Sequence, residues 1–286
     1  EIKMLIQTVW EGIIIGSVYA MIAMGIALVW GVMGILSFSQ GEFMMVGMFI
    51  AYYVNSLFGI DPIVAVPITG LVTFGFGCLI YKTIIAKALK GPRLSQRLIT
   101  FALGMVLSYG ALILFGGQYR TIDKLIFTGT LDLGYVVINY QKLVTLLIAL
   151  VMVIFMYFFL NKTKIGRAIK ATSQDKSAAE IVGVNSEVTN MIAFGISTAL
   201  AGVAGCAITY YYPIHYQAGA AFLLFGFIAV LLGGVGSTLG ALVGGIIMGL
   251  TDTITGVYFS TTYKYFAVCI IFMLIVSFRP KGLFGR

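Results

Sequence analysis

TKIGRAIKATSQDKSAAEIVGVN, residues 163–185, places Lys164, Arg167, Lys170, Asp175, Lys176 and Glu180 within 23 residues. The chain around it is oil: 60% of the 286 residues are hydrophobic and 10% are charged, with a mean hydropathy of +1.04. A soluble domain is about 45–50% apolar and about 25% charged. The polar island is therefore a loop between membrane spans. Its position in the chain sets the topology.

A spanning helix needs roughly 20 apolar residues. Apolar runs lie at about 5–34, 40–56, 62–82, 97–116, 143–160, 189–210, 219–234, 239–257 and 265–278. These nine read as spans, within a range of eight to ten because several are short or interrupted by glycine. The fold class is an all-α integral membrane bundle with broken or re-entrant helices. The first run is too long for a cleaved signal and lacks a small-residue cleavage site.

Cytoplasmic loops collect Lys and Arg. One loop, 82–97, carries Lys82, Lys87, Lys90, Arg93 and Arg97 with no acid. The loop 161–188 carries Lys162, Lys164, Arg167, Lys170 and Lys176, and the tail carries Arg279, Lys281 and Arg286. Thirteen of the 18 basic residues sit in these three segments. All three are expected on the cytoplasmic side, with the C-terminus inside and the N-terminus outside. The net charge of +8 is thus explained by topology and not by nucleic acid. The segment 117–142 then falls outside, and its alternation of apolar and polar residues predicts a small β-hairpin or extended cap.

Within the island, KTKIGRAIKAT could prolong the preceding span. SQDKSAAEIVG has helix signals of its own. Ser173 can cap, Asp175 suits the first turn, and Gly183 can end the helix. Ala178, Ala179, Ile181 and Val182 form a narrow apolar stripe. A helix this short is unstable alone in water, so it needs a surface to pack on. Either the stretch is a solvated loop, or it is a docking helix whose small residues admit a partner and whose charges fix the register.

This stretch resembles the cytoplasmic loop of ABC-transporter membrane subunits of the branched-chain amino-acid type. GIIIGSVYAMIAMGIALVWGVMGILSFSQGEFMMVG, residues 12–47, is similar to that family's opening segment. FGFIAVLLGGVGSTLGALVGGIIMGL and the closing FRPKGLFG also match, in the right order. The resemblance spans nearly the whole chain and implies one permease domain over 1–286. It implies that Ala171, Thr172, Ser173, Asp175, Lys176, Ala178, Ala179, Glu180 and Gly183 dock an ATPase. The partners implied are two ATPase subunits, a homologous second permease and an extracytoplasmic binding protein, all in a bacterial or archaeal cytoplasmic membrane. The cargo implied is a branched-chain amino acid or a related small solute.

The chain has no G-x-x-x-x-G-K-[ST] phosphate loop, so no cofactor is expected on it. ATP and magnesium are expected on partner subunits. The three cysteines read as small core residues without metal-ligand spacing. Gly236, Gly240 and Gly244, Gly245 and Gly249, and Gly12 with Gly16 and Ala20, form flat stripes suited to close helix packing.

Ser39 and Glu42 fit an S-x-x-E capping box, so a new helix should start near Gln40. Broken helices in transport proteins often lie near the substrate route. Phe38, Ser39, Gln40, Gly41 and Glu42 are therefore candidate pathway residues. So are Gly234, Gly236 and Ser237, in a similar loop-then-helix layout that suggests an internal pseudo-repeat. Ionisable residues at membrane depth are functional by default; here these are Glu11, Glu42 and Asp252. His215 lies in a tyrosine cluster that reads as an interfacial belt. No catalytic constellation is present, so an enzyme is not expected. The alternative is a self-sufficient secondary transporter or channel.

Overall fold

A computed structural model describes residues 2–122, 125–127, 129–132, 137–234, 236–260, 262–279 and 282–284. Lys281 and Arg286 of the basic tail lie outside the described residues. Each predicted run forms a helix. They are α1 (Ile2–Met33), α2 (Gln40–Phe58), α3 (Pro62–Ile80), α5 (Arg93–Phe115), α6 (Tyr140–Lys162), α9 (Ser186–Ile208), α10 (Ala218–Gly233), α11 (Thr238–Tyr258) and α12 (Tyr263–Phe278). A π turn, Tyr81–Ile85, and the short α4 (Ala86–Ala88) prolong α3. The polar island holds α7 (Lys164–Gln174) and α8 (Lys176–Ile181). Among the described residues, six helices are long and apolar enough to cross a membrane; α10 and α12 are shorter apolar helices. The protein is thus a multi-pass membrane protein.

The bundle is built around α1 and α9, whose apolar windows are 83% and 78% buried. In α3, α5 and α6 the share is 22–33%, leaving apolar faces turned outward, as lipid requires. Glycines set the packing. Gly245 abuts Ala20 and Gly249 abuts Gly16, so the stripe of α11 lies on the stripe of α1. Gly240 and Gly244 meet Gly233 and Ala229 of α10. Across α2 and α9, Gly47 faces the Gly202 carbonyl and Gly205 the Met44 carbonyl. Such close approach suits association in lipid, where van der Waals packing replaces the hydrophobic effect.

Helix boundaries follow local chemistry. The Asp61 carboxylate caps α3 by accepting from the Ile63 N–H at 3.1 Å, with Pro62 in the first turn. Asn185 caps α9 by accepting from Glu187 and Val188 at 3.1 Å each. Gly59, at φ +66°, closes α2.

At one end of the bundle, β1 (Thr130–Asp132) and β2 (Val137–Asn139) form an antiparallel pair, with Leu131 opposite Ile138. Gln7 of α1 clasps the Val137 backbone through two 3.0 Å hydrogen bonds. Arg120 pairs its backbone with Ile214. Asp61 also accepts from Ile126 N–H at 2.7 Å and from the Tyr210 hydroxyl. The opposite end gathers the basic loops. Arg93 and Gln96 share a cleft with Lys176, Asn190 and Gly34. At the same end the tail closes α10: Leu283 N–H donates to Leu232 and Phe284 N–H to Gly233, at 2.8 and 3.0 Å.

The cysteine reading needs one correction. Cys206 is fully buried and Cys78 partly, but Cys269 is exposed on α12. On that face of α12 nothing among the described residues covers the thiol.

Candidate functional site

The break between α1 and α2 is where this chain departs from its local rules. Ser39 occupies the N-cap of α2, as the spacing predicts, but the capping box does not form. The Ser39 side chain makes no cap bond; its hydroxyl lies 3.2 Å from that of Ser37. The Glu42 carboxylate turns away to α5 and accepts from Ser108 Oγ at 2.6 Å. Only the Ser39 carbonyl serves the first turn, accepting from Glu42 and Phe43 N–H. Gln40 is fully buried, and both amide atoms lack a hydrogen-bond partner among the described residues. An unsatisfied amide in a buried site is costly.

Phe38 and Glu42 line a cavity of about 270 Å³ with Gly104 and Ser108 of α5 and with Gln217 and Leu223 at the start of α10. Phe38 stacks on Phe227 at 5.8 Å, and its N–H reaches Thr100 Oγ1 at 3.4 Å. Gly41 permits this arrangement, because any side chain there would strike the Gly219 carbonyl. Phe101, Met105 and Tyr109 of α5 form the exposed rim. The cavity thus opens on a face that this chain alone does not cover.

The second predicted pathway segment lies elsewhere. Gly234 (φ +101°) ends α10, Gly236 (φ +79°) packs near Gly31, and Ser237 caps α11 by accepting from Gly240 N–H at 3.0 Å. Gly282 of the tail sits on Gly234. The structure therefore does not bring Gly234, Gly236 and Ser237 into the cavity of Phe38 and Glu42. They form the closed end of α10.

In the polar island, Thr163 ends α6, and its hydroxyl caps α7 by accepting from Gly166 N–H at 2.9 Å. The island helix is thus a separate element and not a prolonged span. Ser173 does not cap α8. It lies in the last turn of α7 with Ala171 and the buried Thr172, and bonds back to the Lys170 carbonyl at 2.8 Å. The cap is Asp175, whose carboxylate accepts from Ala178 N–H at 3.0 Å. Asp175 outcompetes Ser173 because it stands at the break itself, in extended backbone. Gly183 ends α8 at φ +89°, as expected. The apolar stripe is split. Ala179 is 3% exposed and faces its own chain, whereas Ile181 and Val182 are 86% and 76% exposed. Ala178 and Glu180 are also exposed, and Glu180 lies 4.0 Å from Lys176.

Sequence reading missed one feature. Glu11 and Asp252 each appeared there alone, and each has a lysine partner. Lys142 meets Glu11 at 2.7 Å, and Lys264 meets Asp252 at 3.1 Å. Both pairs face one cavity of about 310 Å³ between α1, α10 and α11. The signal was present, since Lys142 and Lys264 each stand at the start of an apolar run. Nothing local, however, says which acid they would find. Among the described residues, no cluster of His, Cys, Asp and Glu could hold a metal.

A many-helix bundle with glycine-stripe packing, a polar break between its first two helices and basic loops at one end has the build of a transport permease. The family model described as branched-chain amino acid transport system, permease component, matches residues 8–278, and the chain belongs to that family. The high-affinity branched-chain amino acid transport system permease protein LivH of Escherichia coli strain K12 is 30% identical, over 98% of this chain and 96% of its own length. The corresponding permease protein BraD of Pseudomonas aeruginosa is 28% identical, over 100% and 97%. In fold, the chain resembles the solved structure of PsaBC from Streptococcus pneumoniae in complex with Fab. The TM-score is 0.51 at 15% identity, covering 95% of this chain and 91% of that one. The chain is accordingly a membrane-spanning transport subunit and not an enzyme.

Proposed function

We propose that this permease imports branched-chain amino acids by alternating access, driven by ATP hydrolysed on separate subunits. Two ATPase chains dock on the end that gathers the basic loops, and a second, homologous permease covers the face onto which the Glu42 cavity opens. An extracytoplasmic binding protein delivers cargo at the hairpin end. In this reading the C-terminus is cytoplasmic and the N-terminus outside. The grouping of 82–97 with 161–188 at one end supports that orientation through the positive-inside rule.

The observation that carries the reading is the short helix α8. It is capped at both ends and held to the bundle by Ala179, and it presents Ile181 and Val182 outward. Two large apolar side chains exposed beside charges suit a protein partner better than water. ATPase closure pushes α7 and α8, the spans rock, and the Glu42 cavity changes the side it faces. The pathway residues retained are Phe38, Ser39, Gln40, Gly41 and Glu42. Gly234, Gly236 and Ser237 act as a joint at the end of α10.

The test is affinity purification from the native membrane in mild detergent, with mass spectrometry and with leucine uptake in vesicles. Two ATPase polypeptides and a second permease in the eluate, with ATP-dependent uptake, are the expected result. A chain that purifies alone and transports in vesicles without ATP would make it a secondary transporter or channel.

A further inference from the structure

The 310 Å³ cavity at the hairpin end is not the Glu42 cavity, and its chemistry differs. It holds two carboxylates and two ammonium groups, already paired. Asp252 also accepts from the Tyr19 hydroxyl at 3.1 Å. Tyr211 lines the same space, and its hydroxyl is buried and without a partner among the described residues. The floor is aromatic: Tyr19 stacks on Phe225 at 4.8 Å and tilts against Phe222 at 5.7 Å.

Two readings compete. Each pair could simply staple helix ends, α1 to α6 and α11 to α12. A staple explains each pair singly. It does not explain why both face one cavity, why the charged side chains remain 11–34% exposed, or why a buried hydroxyl beside them is left unmatched. Ionisable groups in such positions are costly and generally serve a ligand route.

We infer that this cavity is a reception site for a free α-amino acid in its zwitterionic form. The four charges sum to zero. A net cation or anion would add an uncompensated charge in a poorly solvated place. A zwitterion adds none. Its ammonium group takes a place beside Asp252 or Glu11, its carboxylate beside Lys264 or Lys142, and Tyr211 donates to that carboxylate. The aliphatic side chain lies over Phe222 and Phe225. A cavity of this size is at the lower end of the range for small-molecule sites, which suits a single amino acid. Because binding exchanges existing ion pairs for new ones, the site holds its ligand weakly, as a hand-over point must.

This inference rests on the amino-acid reading of the cargo, so the experiment measures both. The complete transporter is reconstituted in lipid vesicles and assayed for leucine uptake. The same vesicles are irradiated with a diazirine analogue of leucine, and the labelled residues are mapped by mass spectrometry. Competitors are leucine, 4-methylpentanoate (no ammonium) and 3-methylbutylamine (no carboxylate). The expected result is label on residues 11–19 or 222–225, displaced at least tenfold better by leucine than by either one-charge analogue. Asp252→Asn combined with Lys264→Met should lose the label. The charge-exchanged pair Asp252→Lys with Lys264→Asp checks that folding survives. Leucine uptake with label only elsewhere, or with equal displacement by all three competitors, overturns the site and leaves the cargo standing. Absence of leucine uptake overturns the cargo reading and this inference with it.

Discussion

Ser108 Oγ donates a 2.6 Å hydrogen bond to Glu42 Oε2, tying α5 to the first turn of α2. The bond replaces the local contact that the S-x-x-E spacing offers. Glu42 lies in the first turn, where a helix favours negative charge, but its oxygen serves a neighbouring helix and a cavity. This acid, kept at 7% exposure and not used for its own cap, is the charged group of the proposed pathway.

Ser108→Ala removes the donor and leaves that buried carboxylate short of a partner, and Glu42→Ala removes the group altogether. Hydrogen bonds to charged groups are worth about 1.5–3 kcal/mol. Transport by either variant should fall by about tenfold or more, while the protein still elutes as a single species. Uptake by reconstituted vesicles is the measurement. Normal uptake by Glu42→Ala would remove Glu42 from the pathway.

Gly47 and Gly75 make a paired test of the packing. A Cβ at Gly47 would collide with the Gly202 backbone, which cannot yield without parting α2 from α9. Gly47→Ala should cost about 1–3 kcal/mol, the range for overpacking, and lower the melting temperature in detergent. At Gly75 of α3 an added Cβ meets nothing within 4 Å. Gly75→Ala should be neutral or stabilising, since Ala is the better helix former by about 1 kcal/mol. Equal melting temperatures for the two variants would refute the close approach.

What the sequence revealed and what it hid follow one physical line. The nine helices were legible because each is an apolar run bounded by polar or turn-forming residues, and the glycine stripes because their four-residue spacing fixes one helix face. Gly183 was legible as a stop, because its left-handed φ suits the residue type. Contacts between distant segments were not. Nothing in SFSQGEF says that Glu42 will choose Ser108, sixty-six residues away, over its own Ser39. Nothing in the island says that Ala179 turns inward while Ile181 turns outward, since all lie in one short window. The two lysine–acid pairs were hidden for the same reason.

The inward turn of Ala179 alters the obvious probe of the proposed docking helix. Ala179→Asp would place a carboxylate against the bundle and should disturb the fold of the loop. Ile181→Asp and Val182→Asp change only exposed positions and should leave the melting temperature within about 1 °C, because such surface changes are usually worth less than about 0.5 kcal/mol. Both should sharply reduce recovery of the ATPase chains with the permease. Full recovery with the double variant would show that α8 is an ordinary loop helix.

His215 provides a pH test outside the spans, in the link between α9 and α10. Its ring lies 4.7 Å from that of Tyr119, and its Nδ1 is sealed from solvent without a partner among the described residues. Burial pushes the imidazole below its ordinary value of 6.5. The folded state therefore holds the proton less well than the unfolded chain. The associated stability is fully present above pH 6.5 and is lost as the pH falls through the lowered value. Melting temperatures between pH 7.5 and 5 should drop more steeply for the native protein than for His215→Phe, which keeps the ring contact and cannot titrate. Parallel curves for the two proteins would show that this ring takes up its proton alike in the folded and unfolded chain, and that its burial carries no linkage.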